Sequence, residues 1–368
     1  MGGGPKANNF DLIRLVAALQ VAVAHSAGHL SVTRNAGALF TFLALFPGVP
    51  IFFFISGFLI SRAFENNSVP REYALNRILR IYPALVCCFV VSVGMVWMSG
   101  YFGSVHPPLS SLLTWALAQL SMGQFYNPGF LRNYGVGVLN GSTWTISVEL
   151  QFYVLVPLLY GLLALDHGPR TGSNRRLLAL AGLFLLANQA YVWAGAQHAG
   201  ELWYKLTGVT FVPWFYMFLT GVLAQRNFQF VHKWLAGRLA PAVIVYCAVA
   251  WPWSVYVRTF GNDLSPLFFA GLALIAFAAA FSRPGLSDWL LRRNDISYGV
   301  YLYHMPVVNL LLVLGFGGTL TGFALAMGAT LLLALLSWIA VEKPALRLKR
   351  HALYKHNVAN ISASHAPG

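Results

Sequence analysis

Phe10-Asp11-Leu12-Ile13-Arg14-Leu15-Val16-Ala17-Ala18-Leu19-Gln20-Val21-Ala22-Val23-Ala24-His25-Ser26-Ala27-Gly28-His29-Leu30 is an apolar stretch long enough to cross a bilayer, yet it carries ionisable groups. At about 100° per residue, the eleven steps from Arg14 to His25 turn a helix roughly 1100°, about 20° past three full turns. The two side chains therefore share one face, about 16 Å apart along the axis. Asp11 and His29 lie near the same stripe. An ionisable pair inside a spanning helix is costly to keep, which makes it a functional candidate. The plainer alternative is an arginine that snorkels to the membrane surface and a histidine that merely satisfies a polar contact.

The rest of the chain extends this pattern. Of its 368 residues 58% are hydrophobic and 9% charged, against about 25% charged in soluble proteins. The sequence predicts an all-α polytopic membrane protein with spans at 10–30, 45–62, 78–99, 146–165, 177–197, 208–225, 239–257, 264–282, 296–315 and 320–341. It divides into an N-terminal segment 1–9, a transmembrane domain 10–342 and a basic tail 343–368. The segment 109–125 is shorter and more polar, and its apolarity alone leaves interfacial, re-entrant and spanning readings open.

Charge placement bears on topology. The formal charge of +14 is spread over short interhelical segments rather than one block, which argues against a nucleic-acid partner. With both termini in the cytoplasm and 109–125 outside the count of spans, only Arg34, Arg132, Lys205 and Arg258 of the 24 basic residues fall on the far side. A spanning 109–125 would flip every later loop and erase that asymmetry. The first helix lacks a small-residue cleavage pattern and is expected to remain in the mature chain. Cys87, Cys88 and Cys247 have neither disulfide nor metal-site spacing, so no metal is expected.

Other polar groups stand out against this background. Arg62, Arg71, Arg77 and Arg80 cluster between the second and third spans. Arg77 and Arg80 are three apart, and arginines at a helix start suit phosphate groups; topology determination is the alternative role. Ser142-Thr143-Trp144-Thr145 leads to Glu149, a carboxylate just inside the outer end of a span with no ion partner three or four residues away. It either meets a group from another helix or reaches back to the headgroups. Tyr301 and His304 share a face of the ninth span. Aromatic residues such as Trp97, Tyr126, Trp193 and Trp203 fit an interfacial belt, and Trp144, in the motif next to Glu149, is the exception to it.

Taken together, these segments resemble the acyltransferase type-3 family of membrane O-acyltransferases. The resemblance rests on Asn9-Phe10-Asp11-Leu12-Ile13-Arg14-Leu15 with His25, and on Phe53-Phe54-Ile55-Ser56-Gly57-Phe58-Leu59-Ile60. Arg77-Ile78-Leu79-Arg80-Ile81-Tyr82-Pro83, the Ser142 to Glu149 segment, Ser297-Tyr298 to His304-Met305-Pro306 and Val341-Glu342-Lys343-Pro344 also contribute. Each motif alone is weak; six in order, from about Asn8 to Arg350, are strong.

The resemblance implies a ten-helix enzyme of the cell inner (plasma) membrane, with Arg14 and His25 as its essential pair. It would move an acyl group, commonly acetyl, from cytoplasmic acyl-CoA (acetyl-CoA) to a hydroxyl of an extracytoplasmic or lipid-linked carbohydrate. Arg14, Arg62, Arg77 and Arg80 are then expected on the donor side. His25 is the expected general base, with Glu149 orienting the imidazolium or holding a sugar hydroxyl. Ser56, Ser142, Tyr298, Tyr301 or His304 are candidates to stabilise the oxyanion. Trp144, Ser142, Tyr301 and His304 are expected to line the acceptor site. An acyl-serine or acyl-histidine intermediate is the alternative route. The rival from another class is a proton-coupled transporter of a sugar or lipid, since buried Arg, His and Glu also suit proton coupling. No internal repeat of the inverted kind supports it.

Overall fold

The computed structural model describes residues 8–32, 37–165, 171–256 and 261–348. Lys6, Arg34, Arg170, Arg258 and the tail beyond residue 348 lie outside these. The described residues are helical with no strand. In chain order the helices are α1 (Phe10–His29), α2 (Gly37–Ala44), α3 (Gly48–Asn66), α4 (Pro70–Met98), α5 (Tyr101–Val105), α6 (Leu109–Gln119), α7 (Trp144–Leu162) and α8 (Thr171–His198). They continue with α9 (Leu202–Gly208), α10 (Phe215–Arg226), α11 (Phe228–Leu235), α12 (Leu239–Tyr256), α13 (Pro266–Phe281), α14 (Leu286–Leu291), α15 (Ser297–Val313) and α16 (Leu320–Ser337). A π-helical turn, Trp338–Glu342, extends α16.

Six helical segments are long and apolar enough to cross a membrane, or seven if the α11–α12 pair, bent by 81°, is one span. That is fewer than the ten expected, and the shortfall has local causes. The expected span 208–225 is broken between α9 and α10, where Pro213 has no N–H to donate and disfavours helix at Val212. α13 and α15 are apolar but have only 16 and 17 residues. α6 has 11 residues, about 16 Å, roughly half the hydrocarbon thickness. It does not cross.

The outer surface of the bundle is apolar, as lipid requires. On α8, Leu183 and Leu186 are 60% and 69% exposed, and α16 presents Leu332, Leu336 and, beyond it, Ile339 in the same way. Inside, aromatic side chains fill the space between α3, α7 and α10. Phe53 meets Phe152 edge-on at 5.2 Å, and Phe152 lies 4.7 Å from Phe218.

α3 and α10 make the closest crossing because both are glycine at the contact. A Cβ on Gly57 would sit 1.9 Å from the Phe218 carbonyl oxygen, and one on Gly221 2.1 Å from that of Phe54. Small residues that let helix backbones touch are the membrane solution to close association.

α4 begins earlier than the sequence pattern suggested. Pro70 occupies its first turn, where a missing N–H costs nothing. Arg71 therefore stands on the same helix as Arg77 and Arg80 rather than in the preceding loop, and Arg62 belongs to the last turns of α3.

α1 lies against α15, and the two run parallel: Arg14 meets Asp295, just before α15, and His25 meets His304 further along it. Asn9 fixes the start of α1. Its side chain donates to the Ser282 carbonyl at 2.8 Å and accepts from the Ser287 backbone N–H at 3.0 Å.

The long connection between α4 and α7 is an ordered cap. Asn309 of α15 accepts from the Val136 N–H at 2.7 Å and donates to the carbonyls of Val138 and Leu139 at 3.0 Å each. Gly135, at φ +56°, makes room: a Cβ there would lie 2.1 Å from Asn309 Oδ1.

Replacing Gly57 by alanine should force α3 and α10 apart. We expect a loss of about 1–3 kcal/mol, read as a lower unfolding temperature in detergent; an unchanged midpoint would mean that the crossing yields without strain.

Candidate active site

Two polar clusters sit on the α1–α15 seam. At the first, Arg14 Nη1 donates to Asp295 Oδ2 at 3.0 Å, and Arg80 from α4 donates to the same oxygen. The other carboxylate oxygen, Oδ1, accepts from the Ser297 hydroxyl at 2.5 Å and from its backbone N–H at 3.2 Å. Asp295 thus anchors the start of α15 while it bridges two arginines. Buried charges persist only when paired and hydrogen-bonded in this way.

Asp295 is the principal residue that sequence reasoning missed. It is one of only ten acidic residues in the chain, and that scarcity was the available signal.

The other expected donor-side arginines have different surroundings. Arg77 does not join Arg80. Its guanidinium lies 5.9 Å and 5.5 Å from the ring centres of Tyr73 and Tyr153, a cation–π arrangement. Arg62 is half-buried, with no ion pair among the described residues.

Glu149 points from α7 toward α3 and not toward His25. Its Oε1 accepts from Tyr153 Oη at 2.6 Å and from Ser56 Oγ at 3.1 Å. Of its two expected roles, the structure gives it no contact with the imidazole. It shares instead a narrow cavity of about 50 Å³ with Arg14, Ser56, Tyr298 and Tyr301.

The second cluster gathers three expected residues from distant parts of the chain. His25 Nδ1 lies 3.0 Å from His304 Nε2. Ser142, presented by the cap just before α7, places its Oγ 3.0 Å from His304 Nε2 and 3.4 Å from His25 Nδ1. His304 is fully buried, whereas His25 borders a cavity of about 340 Å³ that also meets Gln20, Ser142, Trp144 and Tyr301. Gln20 shapes this cavity by bonding the Gly48 N–H at 2.9 Å and the Leu43 carbonyl at 3.2 Å, which ties down the break between α2 and α3. Tyr301 bonds Thr145 Oγ1 at 2.7 Å and the Ser142 carbonyl at 3.1 Å, holding the end of the cap in place.

The cavities adjoin. Val49 and Tyr301 border both the Arg14 cavity and the His25 cavity. Gly141 and Trp144 border both the His25 cavity and a third of about 220 Å³, lined by Trp115, Tyr126, Gln119 and Asn140. The described residues hold no group of three or more His, Cys, Asp or Glu side chains placed for a metal ion.

An imidazole bordering a cavity, a hydroxyl beside it and a neighbouring small cavity lined by Arg14 are the parts of a group-transfer site. The comparisons agree on the class. The chain matches the acyltransferase domain family over residues 8–339. It belongs to the acyltransferase type-3 family and is a multi-pass membrane O-acyltransferase. The transporter reading of its buried charges gives way to this.

Among its relatives, Nodulation protein 10 of Rhizobium leguminosarum bv. viciae is 32% identical over 365 residues, 93% of this chain and 94% of that protein. An O-acetyl transferase of Shigella phage Sf6 is 24% identical, covering 92% of this chain and 96% of its own. A peptidoglycan O-acetyltransferase of Listeria monocytogenes is 25% identical over 72% of this chain and 45% of its own length. No solved structure matches the chain.

Substituting Asp295 by alanine strands Arg14 and Arg80 without their shared counter-charge. A loss of roughly 3–5 kcal/mol is expected, seen as poor recovery of folded protein. Asp295→Asn, which keeps the hydrogen bond to Ser297, should be recovered better; equal recovery of both would mean that this bond does not anchor the start of α15.

Proposed function

We propose that this enzyme moves an acetyl group from cytoplasmic acetyl-CoA to a hydroxyl of a carbohydrate presented on the other side of the inner membrane. The observation that carries the reading is His25, which has one ring nitrogen held by His304 while its ring borders an accessible cavity. The peptidoglycan acceptor in one relative's name supports a glycan. Ten crossings with both termini in the cytoplasm remain the preferred topology, with α13 and α15 counted as short spans. The parallel course of α1 and α15 is what such a topology requires of its first and ninth crossings.

On this reading the donor enters beside Arg14, Arg77 and Arg80, whose charges attract its phosphates. Its thin pantetheine arm extends past Tyr298 and Tyr301 toward His25. The acceptor hydroxyl is held in the His25 cavity next to Trp144. His25 takes the hydroxyl proton as the oxygen attacks the thioester carbon. The oxyanion forms near Ser142 Oγ and the Tyr301 hydroxyl. It collapses with cleavage of the carbon–sulfur bond, and the proton on His25 passes to the departing thiolate. Holding both reactants at one point is itself a large part of the rate.

A second route has a specific observation behind it. Ser142 Oγ lies 3.0 Å from His304 Nε2, the contact of a nucleophile with its base. Acyl-Ser142 would form first and then pass its acyl group to the acceptor.

Three results separate these readings. His25→Ala should fold and insert but lose transfer by at least about 10²–10⁴-fold; near-wild-type turnover would remove the base. Ser142→Ala should lower turnover by about 10²–10³-fold under direct transfer, the loss of one oxyanion donor, and abolish it under the acyl-serine route. The pair Arg77→Ala and Arg80→Ala should raise KM for acetyl-CoA far more than KM for the acceptor. An unchanged donor KM would leave those arginines a purely structural role.

A further inference from the structure

We infer that His304 is a positioning residue that fixes the tautomer of His25, keeping the proton on Nδ1 and the Nε2 lone pair directed to the cavity. The inference deepens the proposed function by naming what makes His25 a base of the right form.

The argument is an account of protons. His25 Nδ1 and His304 Nε2 are 3.0 Å apart. Two lone pairs cannot face each other at that distance, and two N–H groups cannot either. One nitrogen carries a proton and the other accepts it.

The far side of His304 decides which. Its Nδ1 is sealed from solvent. It makes no hydrogen bond among the described residues, and the polar groups on the side of the ring nearer the backbone, one turn back in its own helix, are the carbonyls of Val300 and Tyr301. Carbonyls only accept. A lone pair on Nδ1 would oppose theirs in a buried place, so the proton of neutral His304 belongs on Nδ1. Its Nε2 is then an acceptor. Ser142 Oγ, 3.0 Å away, is able to donate to it, but the His25 contact still needs a proton of its own. That proton is on His25 Nδ1.

The consequence falls on the other side of the His25 ring. Nε2 has no hydrogen-bond partner among the described residues and is not sealed from solvent, and the ring borders the 340 Å³ cavity. With Nδ1 protonated, Nε2 is the lone pair that meets the acceptor. In the transfer step the acceptor hydroxyl loses its proton to Nε2 as its oxygen bonds the acyl carbon. The resulting imidazolium keeps its Nδ1–H bond to His304, which spreads the new charge without a buried carboxylate. This is the orienting task that Glu149 was expected to perform and that its bonds to Tyr153 and Ser56 leave to His304. An outer partner that fixes a ring tautomer is a general device for a working histidine.

The test is nuclear magnetic resonance of the full chain in detergent micelles with 15N-labelled histidine rings, His25 being assigned by its loss in His25→Ala. Long-range proton–nitrogen correlations distinguish the two neutral forms directly. We expect His25 as the Nδ1–H form in the wild type. In His304→Leu it should move to the Nε2–H form, the commoner one for imidazole in water. In His304→Gln, whose amide oxygen replaces the Nε2 acceptor, it should stay Nδ1–H. Turnover should follow the tautomer: kcat down by about 10²-fold or more in His304→Leu, largely restored in His304→Gln, with donor KM little changed. A wild-type His25 protonated on Nε2 overturns the inference, and needs no folded variant to show it. So does an Nδ1–H form that persists in His304→Leu. The spectra require no acyl transfer, so a correct tautomer in a protein that never turns over acetyl-CoA would defeat the proposed function while leaving this inference standing.

Discussion

The interior of this bundle is organised by two polar clasps between the same pair of helices. Arg14 and His25 are carried on one face of α1, and each finds its partner on or just before α15, in Asp295 and His304. In an apolar medium neither side chain is tolerable alone. The seam therefore fixes how the two helices lie: a rotation of α1 by one residue would unpair both ends at once. The remaining elements are arranged around this seam. α4 contributes Arg80 to the Asp295 clasp, and the cap contributes Ser142 to the His304 one.

The cap shows how a long connection becomes a precise part. Its course is set by amides: Asn309 grips residues 136–139, Asn127 bonds Gly137 and Leu139, and Asn140 donates to the Leu302 carbonyl at 2.9 Å. Thr143 and Ser147 then tie the start of α7 to Gln124. Each bond satisfies backbone or amide groups that would otherwise be costly to bury. Together they deliver one hydroxyl to two imidazoles across more than a hundred residues of chain.

Much of this was legible in the sequence because it depends on local period. The spacing of Arg14 and His25 places them on one helix face, and helical period links Tyr301 with His304. The apolar runs locate most helices to within a few residues. What the sequence withheld were pairings between distant segments. Nothing near Asp295 announces that two arginines share it. Glu149 lacked an ion partner at helical spacing, as read, but its neighbour four residues on, Tyr153, is a neutral donor that a search for charges overlooks. Arg77 and Arg80 are three apart, yet one meets tyrosine rings and the other a carboxylate, because the 60° between them spans two different neighbours. Pro213 divides an apolar run whose composition looks continuous, so the helix expected over 208–225 is broken between two shorter ones, α9 and α10.

The proposed function makes one central claim: chemistry inside the bilayer, with donor and acceptor arriving from opposite faces. Purified enzyme reconstituted into sealed vesicles tests this directly, with acetyl-CoA supplied only on the cytoplasmic face and a hydroxyl-bearing glycan enclosed on the other. The account predicts acetylated glycan in the enclosed space and free CoA on the cytoplasmic face. Transfer only when donor and glycan share one compartment would contradict it.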